Sequence, residues 1–131
     1  MKISITSDSW WETRVGETLE ILSMREINDF FYSKNYDEIE NILLCFFCCN
    51  PEDYGKIEEK VTYNKKQKKL SIFFVLDFDL FTQISQEERN TIIFDKLIKE
   101  VPEIIAKYKF KDFDLPRFTI DWTNLINGIE R

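Results

Sequence analysis

The chain has 131 residues, 18 basic and 24 acidic side chains for a net charge of −6, 44% hydrophobic residues, and no histidine. That length suits one domain over residues 1–131, with roughly two-thirds of the unfolded surface buried on folding. The absence of histidine excludes Ser-His-Asp and Cys-His catalysis and removes the commonest general base and zinc ligand.

Ile3 and Ile5 alternate with Lys2, Ser4 and Thr6, which predicts a short strand. After Trp10-Trp11, Val15, Leu19, Leu22, Ile27 and Phe30 share one broad helical face. Glu17 and Arg25 lie off that face and Glu26 falls inside it, so a helix is expected over 12–33. The dense apolar run Ile42 to Cys49 reads as a central strand covered on both sides, and Asn50 to Gly55 as a turn. Ile57, Glu59, Val61 and Tyr63 then alternate with Glu58, Lys60 and Thr62. A polar turn, Asn64 to Lys68, leads to a second alternating run, and the pair predicts a β-hairpin of 57–63 and 69–78.

Ser85 and Glu88 form a capping box for a helix whose stripe is Ile92, Ile93, Leu97, Val101, Ile104, Ile105 and Tyr108. Pro102 inside it predicts a kink or break near Val101. Asp114 can cap a last helix carrying Phe118, Trp122, Leu125, Ile126 and Ile129. The expected order is β-α-β-β-β-α-α. This describes an α+β fold, an antiparallel meander of about four strands with helices packed on it.

No run of about 18 apolar residues suggests a membrane span, and the N-terminal residues lack the apolar core of a signal peptide. Cys45, Cys48 and Cys49 are an odd, tightly clustered set. They make a poor disulfide framework and point to a reducing cytoplasm. On a strand Cys45 and Cys48 point to opposite faces, so burial as small hydrophobes is preferred to metal binding or redox chemistry.

Residues 1–59 carry 5 basic and 13 acidic side chains, and residues 60–131 carry 13 and 11. The acidic first half favours a basic partner and disfavours a phosphate backbone, although solubility alone also explains such charge. Asp77, Asp79, Asp112 and Asp114 could serve acid-base chemistry or a divalent cation, but cap and loop roles are preferred. The turn Lys65-Lys66-Gln67-Lys68-Lys69 lacks interleaved aromatics and reads as protection of a strand edge rather than a nucleic-acid site. Trp10 and Trp11, beside Asp8 and Glu12, suit either a protein-binding surface or one end of the core. Glu52, Asp53 and Tyr54 read as an aromatic anchor in an acidic rim or as a solvated loop.

From Tyr63 onward the sequence resembles the immunity protein 44 family of bacterial polymorphic toxin systems. The matching features are Tyr63, the lysine-rich turn Lys65 to Lys69, Leu70, and the strand ending Leu76-Asp77-Phe78. Phe81, an isoleucine- and leucine-rich helix, Lys111-Asp112-Phe113-Asp114 and Phe118 follow in order, so that the likeness covers about 55–118. The resemblance implies a small cytoplasmic protein without catalytic activity, cofactor or metal. Such proteins bind and block a cognate toxin domain, often a nuclease, as in contact-dependent growth inhibition. A nuclease is basic where it holds phosphates, so an acidic, aromatic-bearing inhibitor would complement it.

The expected partner-binding residues are therefore Trp10, Trp11, Glu12, Glu52, Asp53, Tyr54, Asp112 and Asp114. The expected partner is the toxin's C-terminal domain, with no nucleic acid or membrane involved, and the protein is a monomer alone or a heterodimer with toxin. The alternatives are a self-associating scaffold, or a carboxylate- or metal-dependent hydrolase built on Asp77, Asp79, Asp112 or Asp114.

Overall fold

The computed structural model describes residues 1–7, 24–49 and 61–129. Four strands are described: β1 (Lys2–Ser7), β2 (Asn41–Cys49), β3 (Val61–Asn64) and β4 (Lys69–Asp77). Four helices accompany them: α1 (Met24–Tyr32), α2 (Phe78–Gln83), α3 (Gln86–Tyr108) and α4 (Leu115–Gly128). The fold is α+β.

The sheet is mixed, with strand order β1-β2-β4-β3, which corrects the expected antiparallel meander. β1 pairs parallel with β2, β2 pairs parallel with β4, and only β3 and β4 form an antiparallel hairpin. Parallel neighbours need long returns to the same end of the sheet. The 33 residues between Ser7 and Asn41 and the 19 between Cys49 and Lys69 supply them, the second return carrying β3 as the edge strand. Spacing along the chain identified the strands, but the direction of each depends on where the connection crosses.

β2 lies between β1 and β4, so its apolar character on both faces is explained. Ile42, Leu44 and Phe46 are buried toward the helices beside Leu70, Ile72 and Phe74 of β4. Cys45 sits on the opposite face, itself buried, and accepts a hydrogen bond from the Thr6 hydroxyl at 3.0 Å. Phe47 stacks on Phe73 on that same face, with centroids 5.9 Å apart. The side chains of Cys48 and Cys49 lie outside the described residues.

α1 buries Ile27 and Phe31, with Phe30 half-buried and Glu26 exposed despite its place in the apolar spacing. The expected helix began at residue 12, and 12–23 lie outside the described residues. Asn28 of α1 accepts from the backbone N–H of Ile3 at 3.0 Å, which ties the helix to β1. Of the expected first hairpin strand, 61–63 are β3 and 57–60 lie outside the described residues.

The short α2 was not expected. Its start is set by Asp77, whose carboxylate accepts from the N–H groups of Asp79 (2.9 Å) and Leu80 (3.3 Å), and Phe81 is fully buried beneath it. The Ser85–Glu88 cap forms as expected at α3. The break expected at Pro102 does not occur, because α3 runs unbroken from 86 to 108. Pro102 leaves the Ile98 carbonyl without its usual helical donor, but the proline is buried and adds its ring to the core face.

α4 starts at Asp114, which accepts from the N–H of Arg117 at 3.2 Å. It buries Phe118, Trp122 and Ile126 against the rest of the core. The Trp122 indole is fully buried and its Nε1–H donates to the Leu97 carbonyl of α3 at 2.8 Å, so the one polar atom of that ring is satisfied.

Candidate functional site: an aromatic groove rimmed by lysines

Three connections meet at one end of the sheet: residues 36–40 before β2, the β3–β4 turn at 65–68, and residues 109–114 between α3 and α4. Between them lies an open groove of about 830 Å³. Lys65, Lys68, Lys109 and Lys111 rim it, Tyr63, Tyr108 and Phe110 form its apolar floor, and Asp37, Glu38 and Asp112 complete the wall.

The backbone here is unusual. Among the described residues, the non-glycine residues with positive φ are Glu38 (72°), Lys68 (49°) and Lys109 (49°), and all three line this groove. Left-handed backbone costs an L-residue about 1–2 kcal/mol, and its concentration in one place points to function. Local needs account for part of it. Lys68 closes the hairpin turn, inside which the Asn64 side chain accepts from the N–H of Gln67 at 3.1 Å. Lys109 ends α3, its N–H donating to the Ala106 carbonyl at 3.3 Å. Neither position holds the glycine that would relieve the strain.

Glu38 fastens the three connections together. Its carbonyl accepts from the Tyr63 hydroxyl of β3, and its carboxylate accepts from the N–H of Asp112. Burial pushes the Tyr63 phenol above its usual range, and the charges of Glu38 and Glu40 push it further the same way. Tyr108 donates to the Val61 carbonyl at 2.8 Å, closing the end of α3 onto β3.

The floor is continuous with the core. Phe110 meets Tyr63 edge-on at 4.8 Å and stacks on Tyr108 at 5.6 Å. Phe110 also contacts Phe113 at 6.1 Å, Phe113 contacts Phe118 at 5.5 Å, and Phe118 stacks on Trp122 at 5.8 Å. A ladder of rings thus runs from the 39%-exposed Tyr108 to the fully buried Trp122. Each ring pair adds about 0.5–1.5 kcal/mol beyond area burial, so the groove floor is held rigidly.

A second polar set braces the side of the groove. Tyr36 packs on Phe113 at 5.2 Å and donates to Asp121 Oδ2 at 2.9 Å. Its phenol is pushed strongly upward, chiefly by burial and then by that hydrogen bond and the Asp121 charge, against the opposing pull of Arg117. The Arg117 guanidinium lies 4.3 Å from the centroid of the Tyr36 ring and donates to the Asn35 carbonyl at 2.8 Å.

Of the residues expected to meet a partner, Asp112 lies in the groove and is exposed. Asp114 is adjacent, and its carboxylate is engaged as the α4 cap, with Arg117 Nε at 3.8 Å. Trp10, Trp11, Glu12, Glu52, Asp53 and Tyr54 lie outside the described residues. Asp77 caps α2 and stands apart from Asp112 and Asp114 in the fold. Among the described residues, no group of three His, Cys, Asp or Glu side chains is placed to hold a metal ion. Nor is any described helix long and apolar enough to cross a membrane.

Sequence reasoning missed Glu38, Tyr63, Tyr108, Lys109 and Phe110 as site residues. The run Tyr108-Lys109-Phe110-Lys111 alternates aromatic and basic residues, a signal obscured by treating Tyr108 as the end of a buried stripe.

The model of the immunity protein 44 family matches residues 1–128, so the likeness reaches well beyond 55–118 and takes in the acidic first half. The chain belongs to the immunity protein 44 family. No curated protein and no solved structure matches it.

Proposed function

We propose that this member of the immunity protein 44 family binds a cognate bacterial toxin domain in the cytoplasm and neutralises it by occlusion, acting as a binding protein and not as an enzyme. The observation that carries the reading is the family match over nearly the whole chain. The distribution of charge supports it: 13 of the 24 acidic side chains but only 5 of the 18 basic ones fall in residues 1–59. An acidic inhibitor suits a toxin that must hold phosphates, and the toxin is therefore read as a nuclease. Trp10, Trp11, Glu12, Glu52, Asp53 and Tyr54 are the proposed acidic and aromatic contacts from the first half, joined by Asp112 and Asp114. Aromatic anchors inside a charged rim are the usual carriers of binding energy at protein interfaces.

The groove supports a binding role on separate grounds. It is apolar at the floor, charged at the rim and rigidly braced, which limits the ordering cost of association. The test is co-expression with the toxic C-terminal domain encoded beside this gene. Restored growth is the expected result; continued killing by a toxin whose partner is soluble and folded would reject the reading.

A further inference from the structure

We infer that the lysine-rimmed groove seats an acidic segment of the toxin, an extended stretch with two or more carboxylates flanking an aromatic or aliphatic side chain. This rests on the immunity reading and adds what part of the partner enters this site. Charge is the first argument. Lys65, Lys109 and Lys111 are exposed and, among the described residues, make no ion pair, whereas Lys68 faces Glu40 at 3.8 Å. On the acidic side of the groove, Glu38 already spends its carboxylate on the Asp112 amide. What remains open to a partner is an excess of ammonium groups around an apolar floor.

Shape is the second argument. The rim lysines come from two separate connections, Lys65 and Lys68 from the β3–β4 turn and Lys109 and Lys111 from the α3–α4 connection, with the rings of Tyr63, Tyr108 and Phe110 between them. A segment lying along the floor would bury a side chain against the rings and present carboxylates to both rims. The Glu38 clamp and the three left-handed residues hold that geometry before binding. A phosphate backbone fits less well, because Asp37 and Asp112 stand in the same groove and no arginine or open stacking platform lines it.

The two charged regions then have different tasks. The acidic first half attracts a basic toxin from a distance, and the groove fixes register through a local contact of opposite sign.

The test measures binding of the full chain to the adjacent-gene toxin domain, carried as a catalytically silenced variant, by titration calorimetry. K65E/K111E reverses one charge on each rim and should weaken binding about 100-fold, since like charges brought face to face cost several kcal/mol. Lys99→Glu, on the exposed side of α3, should leave affinity within about twofold. Both variants alter exposed side chains, and unchanged melting temperatures would establish that the fold is intact. If the wild-type chain binds and K65E/K111E binds equally well, the groove inference is overturned while the immunity reading stands. If the wild-type chain forms no complex, the immunity reading itself fails. If the chain self-associates and K65E/K111E abolishes that, the occupant is a second copy and the inference is also overturned.

Discussion

Replacing Lys109 with glycine should stabilise the fold while weakening toxin binding. Lys109 ends α3 with φ 49° and ψ 50°, a conformation that costs a side-chain-bearing residue about 1–2 kcal/mol. Glycine removes that cost but frees the unfolded chain, which returns about 0.4–1 kcal/mol. Nothing else is lost on folding, since the side chain is exposed and makes no ion pair among the described residues. The net expectation is a gain of about 0.5–1 kcal/mol, or roughly 3 °C in melting temperature for a domain of this size. Urea unfolding should show a higher midpoint at unchanged slope. Toxin affinity should fall about threefold to tenfold, because the rim loses one of its four ammonium groups. A lower midpoint would refute the strain argument, and greater stability with unchanged affinity would refute the role of the groove. Glu38→Gly provides the contrast: the same backbone relief is offset by loss of the carboxylate that holds Asp112, so stability should not rise.

Further outcomes follow from the core and from the titrating tyrosines. Trp122→Phe keeps most of the ring but removes the donor to Leu97, and should cost about 1–3 kcal/mol by chemical denaturation. Pro102→Ala should stabilise α3 by about 1 kcal/mol, since about 3 kcal/mol of helix penalty outweighs the roughly 1.6 kcal/mol of buried ring that is lost; circular dichroism should show undiminished helix. Tyr36 and Tyr63 both have raised phenol pKa values, so the folded state keeps protons that the unfolded chain releases near pH 10. Their contribution is complete below that pH and is lost as pH rises through the folded-state values. Tyr36→Phe should therefore flatten the alkaline limb of a stability–pH profile above about pH 10, while Tyr63 continues to titrate.

Much of the fold was legible because it is written in local spacing. The alternation of Leu70, Ile72 and Phe74 gave β4, the Ser85–Glu88 box gave the start of α3, and Asp114 gave the start of α4. Sheet order was not legible, because Ile3 and Ile42 pair across 39 positions and nothing in either strand encodes the direction of its neighbour. Pro102 misled for a different reason: burial of its ring against the sheet face outweighs the hydrogen bond it forfeits. The groove was the least legible feature. Its pieces come from residues 37–38, 63–68 and 108–112, and each alone reads as an ordinary turn, edge or helix end. Only the tertiary meeting of Glu38 with Tyr63 and Asp112 makes them one surface.

The central claim is that this chain silences a toxin by binding it. The most direct test titrates the purified chain into the active toxin domain encoded beside it and follows the toxin's own activity. Loss of activity reaching completion at one equivalent, with a stable one-to-one complex, is the predicted result. Full toxin activity in the presence of a several-fold excess of folded protein would contradict it.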